Sequence, residues 1–207
     1  MCESTISFTC GDCRTLNCSK QNSAYPEECL TLAVDAEELK KIIHIYKDDP
    51  VDAAYSLAAA EIVKSGYGKL NRAEEIAAFA KNLGAKKIGI TSCVGLVKEA
   101  RQFISYLKSQ GIESYCVICK VGAVDKSEIG LPESVRNKEG AHESICNPVL
   151  QAYILKREET DLNVVIGLCV GHDSLFIRHS AAPVTYLIVK DRVHGHNPAV
   201  GLAALQA

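Results

Sequence analysis

The sequence has no apolar run long enough to cross a bilayer, no block of basic residues and no glycine-rich phosphate loop. The first absence excludes a membrane-spanning helix. The second removes nucleic acid and anionic membrane surfaces as expected partners, since 23 Lys and Arg stand against 25 Asp and Glu for a formal charge of -2. The third removes a nucleotide cofactor, because neither G-x-x-x-x-G-K-[ST] nor a G-x-G-x-x-G after a strand occurs. Met1-Cys2-Glu3-Ser4-Thr5 has neither the basic start nor the apolar core of a secretion signal. The expected compartment is therefore the cytoplasm, where thiols stay reduced.

What is present is cysteine. Ten occur in 207 residues, in a chain whose 47% hydrophobic content is enough for one sizeable core. In a reducing compartment they point to metal binding or catalysis before disulfides.

Five cysteines fall in the first thirty residues, and four of them have the spacing Cys10-x2-Cys13-x4-Cys18-x10-Cys29. A C-x-x-C knuckle with two further thiols suits a tetrahedral all-cysteine zinc site or a four-iron cluster. The segment has few apolar residues with which to fold alone, and a metal would supply that stability. Residues 1–30 are accordingly expected to form a cysteine-rich metal-binding arm, with Cys2 standing outside the pattern.

Residues 31–85 read as a helical layer. Asp35 precedes a helix carrying Leu39, Ile42, Ile43 and Tyr46; Pro50 opens a second helix ending at Gly66; Asn71 caps a third ending before Gly84. Residues 86–207 then alternate between strand and helix patterns. Strands are expected over 87–91, 113–118, 163–168 and 183–189, and helices over 96–109, from Asn147-Pro148, over 173–178 and from Asn197-Pro198. Such alternation predicts a four-stranded, mainly parallel, Rossmann-like α/β sheet with helices on both faces, the whole packed as one compact unit. The stretch 120–145 is a long loop, of the kind that carries function or moves.

On this plan Cys93, Cys119, Cys146 and Cys169 all fall at the carboxyl rim of the sheet, each at a strand end or just before a helix, and His196 precedes the final helix in the same way. Ligands of parallel sheets sit at that rim. Helix N-termini there stabilise thiolates, and thiolate sulfur selects zinc, copper(I) or iron–sulfur clusters. The expected rim cofactor is an iron–sulfur cluster of the 4Fe-4S kind, or zinc, on Cys93, Cys119, Cys146 and Cys169. His172 and His196 are its candidate neighbours, as ligands, proton donors or substrate contacts. Cys116 forms a C-x-x-C with Cys119, yet on a straight strand the two point to opposite faces, so it reads equally as core or ligand. Asp173, Lys190, Asp191 and Arg192 are candidate substrate contacts, with a solvated loop as the favoured reading.

A competing reading rests on Gly167-Leu168-Cys169-Val170-Gly171. This is the cysteine form of a nucleophile elbow, and with His172 or His196 as base it would serve a hydrolase or amidotransferase-like enzyme using Cys169. That reading leaves the other cysteines unexplained. A third class is a non-catalytic zinc protein. A small molecule, a redox partner or a second copy of the chain are the partners left open.

Several motifs together resemble one family: the N-terminal cysteine set, Thr91-Ser92-Cys93-Val94-Gly95, Cys146-Asn147-Pro148 with Gln151-Ala152, Cys169-Val170-Gly171-His172-Asp173, and Lys190-Asp191-Arg192 followed by Gly195-His196-Asn197-Pro198. The chain is similar across its length to domain of unknown function 1847, a family met mainly in anaerobic prokaryotes. The resemblance implies metal binding, and an anaerobic setting would suit an oxygen-sensitive cluster.

Overall fold

The computed structural model describes residues 9–20 and 24–205. The chain divides into two compact units, 1–57 and 58–207, a division that falls within a helix rather than at residue 30 or 85.

In the first unit, two single 3-10 turns, Cys10–Asp12 and Asn17–Ser19, precede helices α1 (Leu30–Ala33) and α2 (Ala36–Asp48), and α3 (Pro50–Gly66) begins there. Thr9 and Asp12 close the first turn reciprocally, the Thr9 N–H donating to Asp12 Oδ2 at 2.8 Å. Asp35 caps α2 by accepting from the Glu37 and Glu38 N–H groups, each at 3.0 Å. These local bonds satisfy donors that a helix start leaves free. No residue of the two turns, α1 or α2 is buried.

The second unit carries α4 (Arg72–Asn82), β1 (Lys87–Ser92), α5 (Val97–Ser109), β2 (Glu113–Ile118), α6 (Pro148–Arg157), β3 (Leu162–Ile166), α7 (His172–His179), β4 (Val184–Ile188) and α8 (Pro198–Ala204). The strands pair in the order β2-β1-β3-β4, all parallel. Alternate residues of β1 point to opposite faces. Ile88 and Ile90 join Ile76, Ala80, Phe103 and Leu107 beneath α4 and α5. On the other face, Val117 and Val165 join Ala152, Leu155, Leu168 and Phe176 beneath α6 and α7. Phe176 is fully buried, a placement that contributes roughly 1.5–3 kcal/mol.

One glycine in β1 is dictated by a neighbour. A Cβ at Gly89 would lie 2.0 Å from Asn163 Oδ1. That buried amide is fully engaged, accepting from Thr160 Oγ1 and donating to Ser180 Oγ, both at 2.8 Å, so it cannot yield without losing bonds.

The strand order reverses at β1. β1 leads outward to β2 through α5 on one face, and β2 returns across the sheet to β3 through α6 on the other. The crevice between the carboxyl ends of β1 and β3 is therefore the topological switch point, where ligands of open α/β sheets bind.

Candidate thiolate site at the sheet rim

Cys93 and Cys169 flank that switch point. Cys93 follows β1 directly, and its N–H extends the ladder to Ile166 O at 3.3 Å. Cys119 follows β2 in the same way, its N–H donating to Ser92 O at 2.8 Å. Both are buried, at 7% and 1% exposure. Cys169 stands three residues beyond β3, at the mouth of α7.

Cys146 arrives by a different route. The excursion 120–145 is stapled shut by its own charges. Asp125 is clamped by Arg136, which also donates to Ala141 O at 2.7 Å, and Lys126 pairs with Glu143 at 2.7 Å. Asp125 and Ser144 bridge the excursion's two limbs, and Ile145 N–H donates to Val124 O at 2.8 Å. At its base, Asn147 N–H donates to Cys119 O at 2.7 Å. The closure sets Cys146 against Cys119 although 27 positions separate them in sequence. Asn147 then caps α6 by accepting from Leu150 N–H at 3.1 Å. Asn197 makes no such side-chain cap bond at α8; the Asn-Pro start alone does not fix the rotamer.

Three thiols thereby lie close enough to influence one another, with Cys119 interacting with both Cys93 and Cys146. Its hydrogen bond to Cys146, with burial, raises the Cys119 thiol far above its ordinary range, against the Val94 N–H that donates to its sulfur at 3.3 Å. The same bond lowers Cys146 to about 5, helped by Lys120 and His172 and opposed by burial. Burial also pushes Cys93 up, but the Lys190 ammonium, donating to its sulfur at 2.6 Å, and the Gly95 N–H outweigh it and leave the pKa lowered. Cys146 is thus a thiolate beside the retained thiol of Cys119, and Cys93 on the other side ionises more readily than an ordinary thiol.

Cys169 takes a separate partner, Arg192, whose guanidinium donates to its sulfur at 3.0 Å. Arg192 is held more firmly protonated by that contact and by Cys93 and Cys146 beyond it. Lys190 and Arg192, two apart just after β4, therefore face the sulfurs, while Asp191 between them turns to its own loop. It accepts from Val193 N–H at 2.9 Å and His194 N–H at 3.1 Å and pairs with the His194 ring at 3.0 Å. Asp173 is likewise occupied: burial and Asp173 together push the Tyr186 phenol up to about 12.

Of the histidines, His196 accepts from Asp191 N–H through Nδ1 at 3.2 Å, which leaves Nε2 as its free ring atom. Among the described residues, His172 Nδ1 is shielded from water and has no partner. Two further buried polar atoms lack partners there behind the rim: Thr91 Oγ1, two residues before Cys93, and Gln151 Oε1. Gln151 is fully buried and donates to Ser92 O at 3.3 Å and Val117 O at 2.7 Å, so it ties the residue before Cys93 to β2.

Cys116 does not join the rim. It packs partly buried against the α4–α5 core, where burial raises its thiol. In the arm, Cys10 and Cys18 are exposed and Cys13 and Cys29 half-buried. Cys13 is lowered by the Leu16 N–H and by Thr15. All nine described cysteines are free, and Cys2 lies outside the described residues. Among the described residues, no three or more His, Cys, Asp or Glu side chains are gathered into a set ready to hold a metal ion. No described helix is long and apolar enough to cross a membrane.

Residues 29–187 match the family described as "Protein of unknown function (DUF1847)". The matched span begins at Cys29, includes the four rim cysteines and stops before Lys190 and Arg192. The uncharacterised protein MJ0455 of Methanocaldococcus jannaschii is 42% identical over 160 residues, covering 77% of this chain and 80% of that protein.

Proposed function

Because the chain belongs to the DUF1847 family, whose description gives no activity, we propose from the chemistry of the rim that it is a thiolate-ligated metal protein. Its centre at the switch point is read as an iron–sulfur cluster, with zinc as the alternative occupant. The observation that carries this reading is the run Cys93–Cys119–Cys146 with Cys169 at the same rim, under the cations of Lys190 and Arg192.

The residues fit such a group by donor type and by position. The thiols of Cys93, Cys119, Cys146 and Cys169 are soft donors suited to iron–sulfur or zinc. Backbone N–H groups of Val94 and Gly95 already point at sulfur, as cluster sulfurs require for a tuned potential. In distance the set is not a preformed cage, so side-chain rotation at the rim would accompany loading. The unpartnered Nδ1 of His172 is a reserve donor beside Cys146.

The chain's own groups then have defined work. Lys190 and Arg192 balance the negative charge that four thiolates bring, and Lys120 adds a third cation beside Cys146. Gln151 holds the ends of β1 and β2 in register beneath the sulfurs. A bound cluster would supply one-electron transfer or a Lewis-acidic iron. Cys10, Cys13, Cys18 and Cys29 extend the proposal to a second tetrathiolate site in the arm, whose turns bury no side chain and would gain order from a metal.

The test is anaerobic purification of the full chain with a visible spectrum and analysis of iron, sulfide and zinc. Iron with equimolar labile sulfide, lost from the Cys93→Ser and Cys146→Ser variants, supports the cluster. Zinc alone gives the structural or carrier reading. No metal in a freshly isolated, folded protein overturns both.

The nucleophile reading retains one favourable contact, Arg192 on Cys169. It lacks a contact to a base: the Cys169 sulfur meets Arg192, and no His ring nitrogen is hydrogen-bonded to it among the described residues. An activated nucleophile needs that hydrogen bond.

A further inference from the structure

The α4–α5 side of the sheet has a groove that the thiol rim does not use. β4 is an edge strand, half-buried at each of its five positions. Its last residues, Leu187 and Ile188, line a groove of about 430 Å³ together with Phe103 and Tyr106 of α5. That volume suits a small organic molecule. The charged groups lining it are two carboxylates, Glu74 and Glu99, with no Lys, Arg or His among the lining residues. Glu74 is spent on the start of α4, where Oε2 accepts the Asn71 N–H at 2.7 Å. Glu99 is not spent: its Oε2 is shielded from water and meets no donor among the described residues.

We propose that this groove binds a small organic cation, an apolar body ending in a protonated amine or amidine. A carboxylate oxygen withdrawn from water without a donor is unfavourable, and turning the half-buried Glu99 side chain toward a charged N–H in the groove removes that defect. Two aromatic rings beside it attract a cation and cover an apolar body. An anion would meet two carboxylates and no counter-charge, and a neutral ligand without N–H groups would leave Glu99 Oε2 as it stands. The inference does not depend on what occupies the thiol rim.

The probe is benzamidine, with benzamide as the uncharged molecule of similar shape, titrated by calorimetry into the full chain. Saturable benzamidine binding is expected, weakened tenfold or more in Glu99→Gln, with benzamide failing to saturate over the same range. Gln102→Lys, a solvent-exposed position that lines the groove, sets a cation beside Glu99 and is expected to abolish benzamidine binding while leaving the circular dichroism spectrum unchanged. It answers the question even where Glu99→Gln folds poorly. Absence of saturable benzamidine binding, equal affinity in both variants, or equal binding of benzamide overturns the proposal.

Discussion

Removing the Cys119 thiol should change how Cys146 titrates, by an amount that follows from the contacts. In the metal-free, reduced protein, Cys146 is lowered to about 5, and its largest cause is the hydrogen bond from Cys119. A hydrogen bond to a charged group is worth roughly 1.5–3 kcal/mol. At about 1.4 kcal/mol per pH unit, losing it in Cys119→Ala moves the midpoint of Cys146 to about pH 6–7. Lys120 and His172 remain and keep it from returning to the ordinary thiol value. The nucleophilicity of a thiolate rises with its basicity, with a Brønsted slope of about 0.4–0.5, so the alkylation plateau should rise about three- to tenfold. The assay is iodoacetamide alkylation from pH 4 to pH 9, read peptide by peptide in the mass spectrometer. Wild type should be flat above about pH 6, Cys119→Ala should show a later midpoint and a higher plateau, and Cys119→Ser, which keeps a donor, should stay near wild type. A wild-type Cys146 that titrates as an ordinary thiol, or a midpoint indifferent to Cys119→Ala, refutes the thiol–thiolate assignment.

Lys190→Met should raise the alkylation midpoint of Cys93, since burial then acts without the ammonium that offsets it; an unmoved midpoint shows that the 2.6 Å contact is not made in solution. Gly167→Ala should lose about 2–4 kcal/mol in urea unfolding, combining left-handed backbone at φ 62 with a Cβ 2.0 Å from Leu96 Cδ1. A loss below about 1 kcal/mol means that the loop to Cys169 adapts freely. The 120–145 excursion should hold its amide protection to about pH 4 and lose it as the pH falls toward 2. Glu143 is lowered to about 2, chiefly by Lys126, and Asp125 lies well below its usual range, chiefly through Arg136. Carboxylates depressed in the folded protein contribute fully above their unfolded values and fail as the pH drops through their folded ones. Hydrogen exchange at pH 7, 5, 4 and 2 checks this, and protection lost already at pH 5 contradicts it.

The elements were legible because local signals agreed with tertiary ones. Asn71 with Glu74, and Asp35, fix helix starts through bonds made within one turn, and the Pro at 50, 148 and 198 through a preset φ. The four strands were readable from apolar runs of the right length between turn residues, and their parallel pairing from the helices between them. The placement of Cys93, Cys119, Cys146 and Cys169 along one rim follows from that plan, since each stands where a strand ends or a helix begins. Legibility stopped where contacts are made through space. Lys190 and Arg192 read as solvated loop, yet each donates to a sulfur. The signal available was their alternation immediately after a strand, which sets two cations on one side and Asp191 on the other.

The same reasoning explains why Cys116 and Cys119 part company while Cys119 and Cys146 meet. Three residues along a strand reverse the side chain, so Cys116 enters the α4–α5 core and its burial disfavours the thiolate. The excursion from 120 to 145 costs little more loop entropy than a short turn would, because closure entropy grows only slowly with length. The Asp125–Arg136 and Lys126–Glu143 pairs fix its shape. Its return is anchored at the base by a backbone bond, Asn147 N–H to Cys119 O, followed at once by the capped start of α6. A C-x-x-C pair separated by strand geometry and a distant pair joined by a stapled loop make one point about this chain. What brings its thiols together is the closure of the backbone at the sheet's switch point, and spacing in sequence misleads wherever the chain is straight.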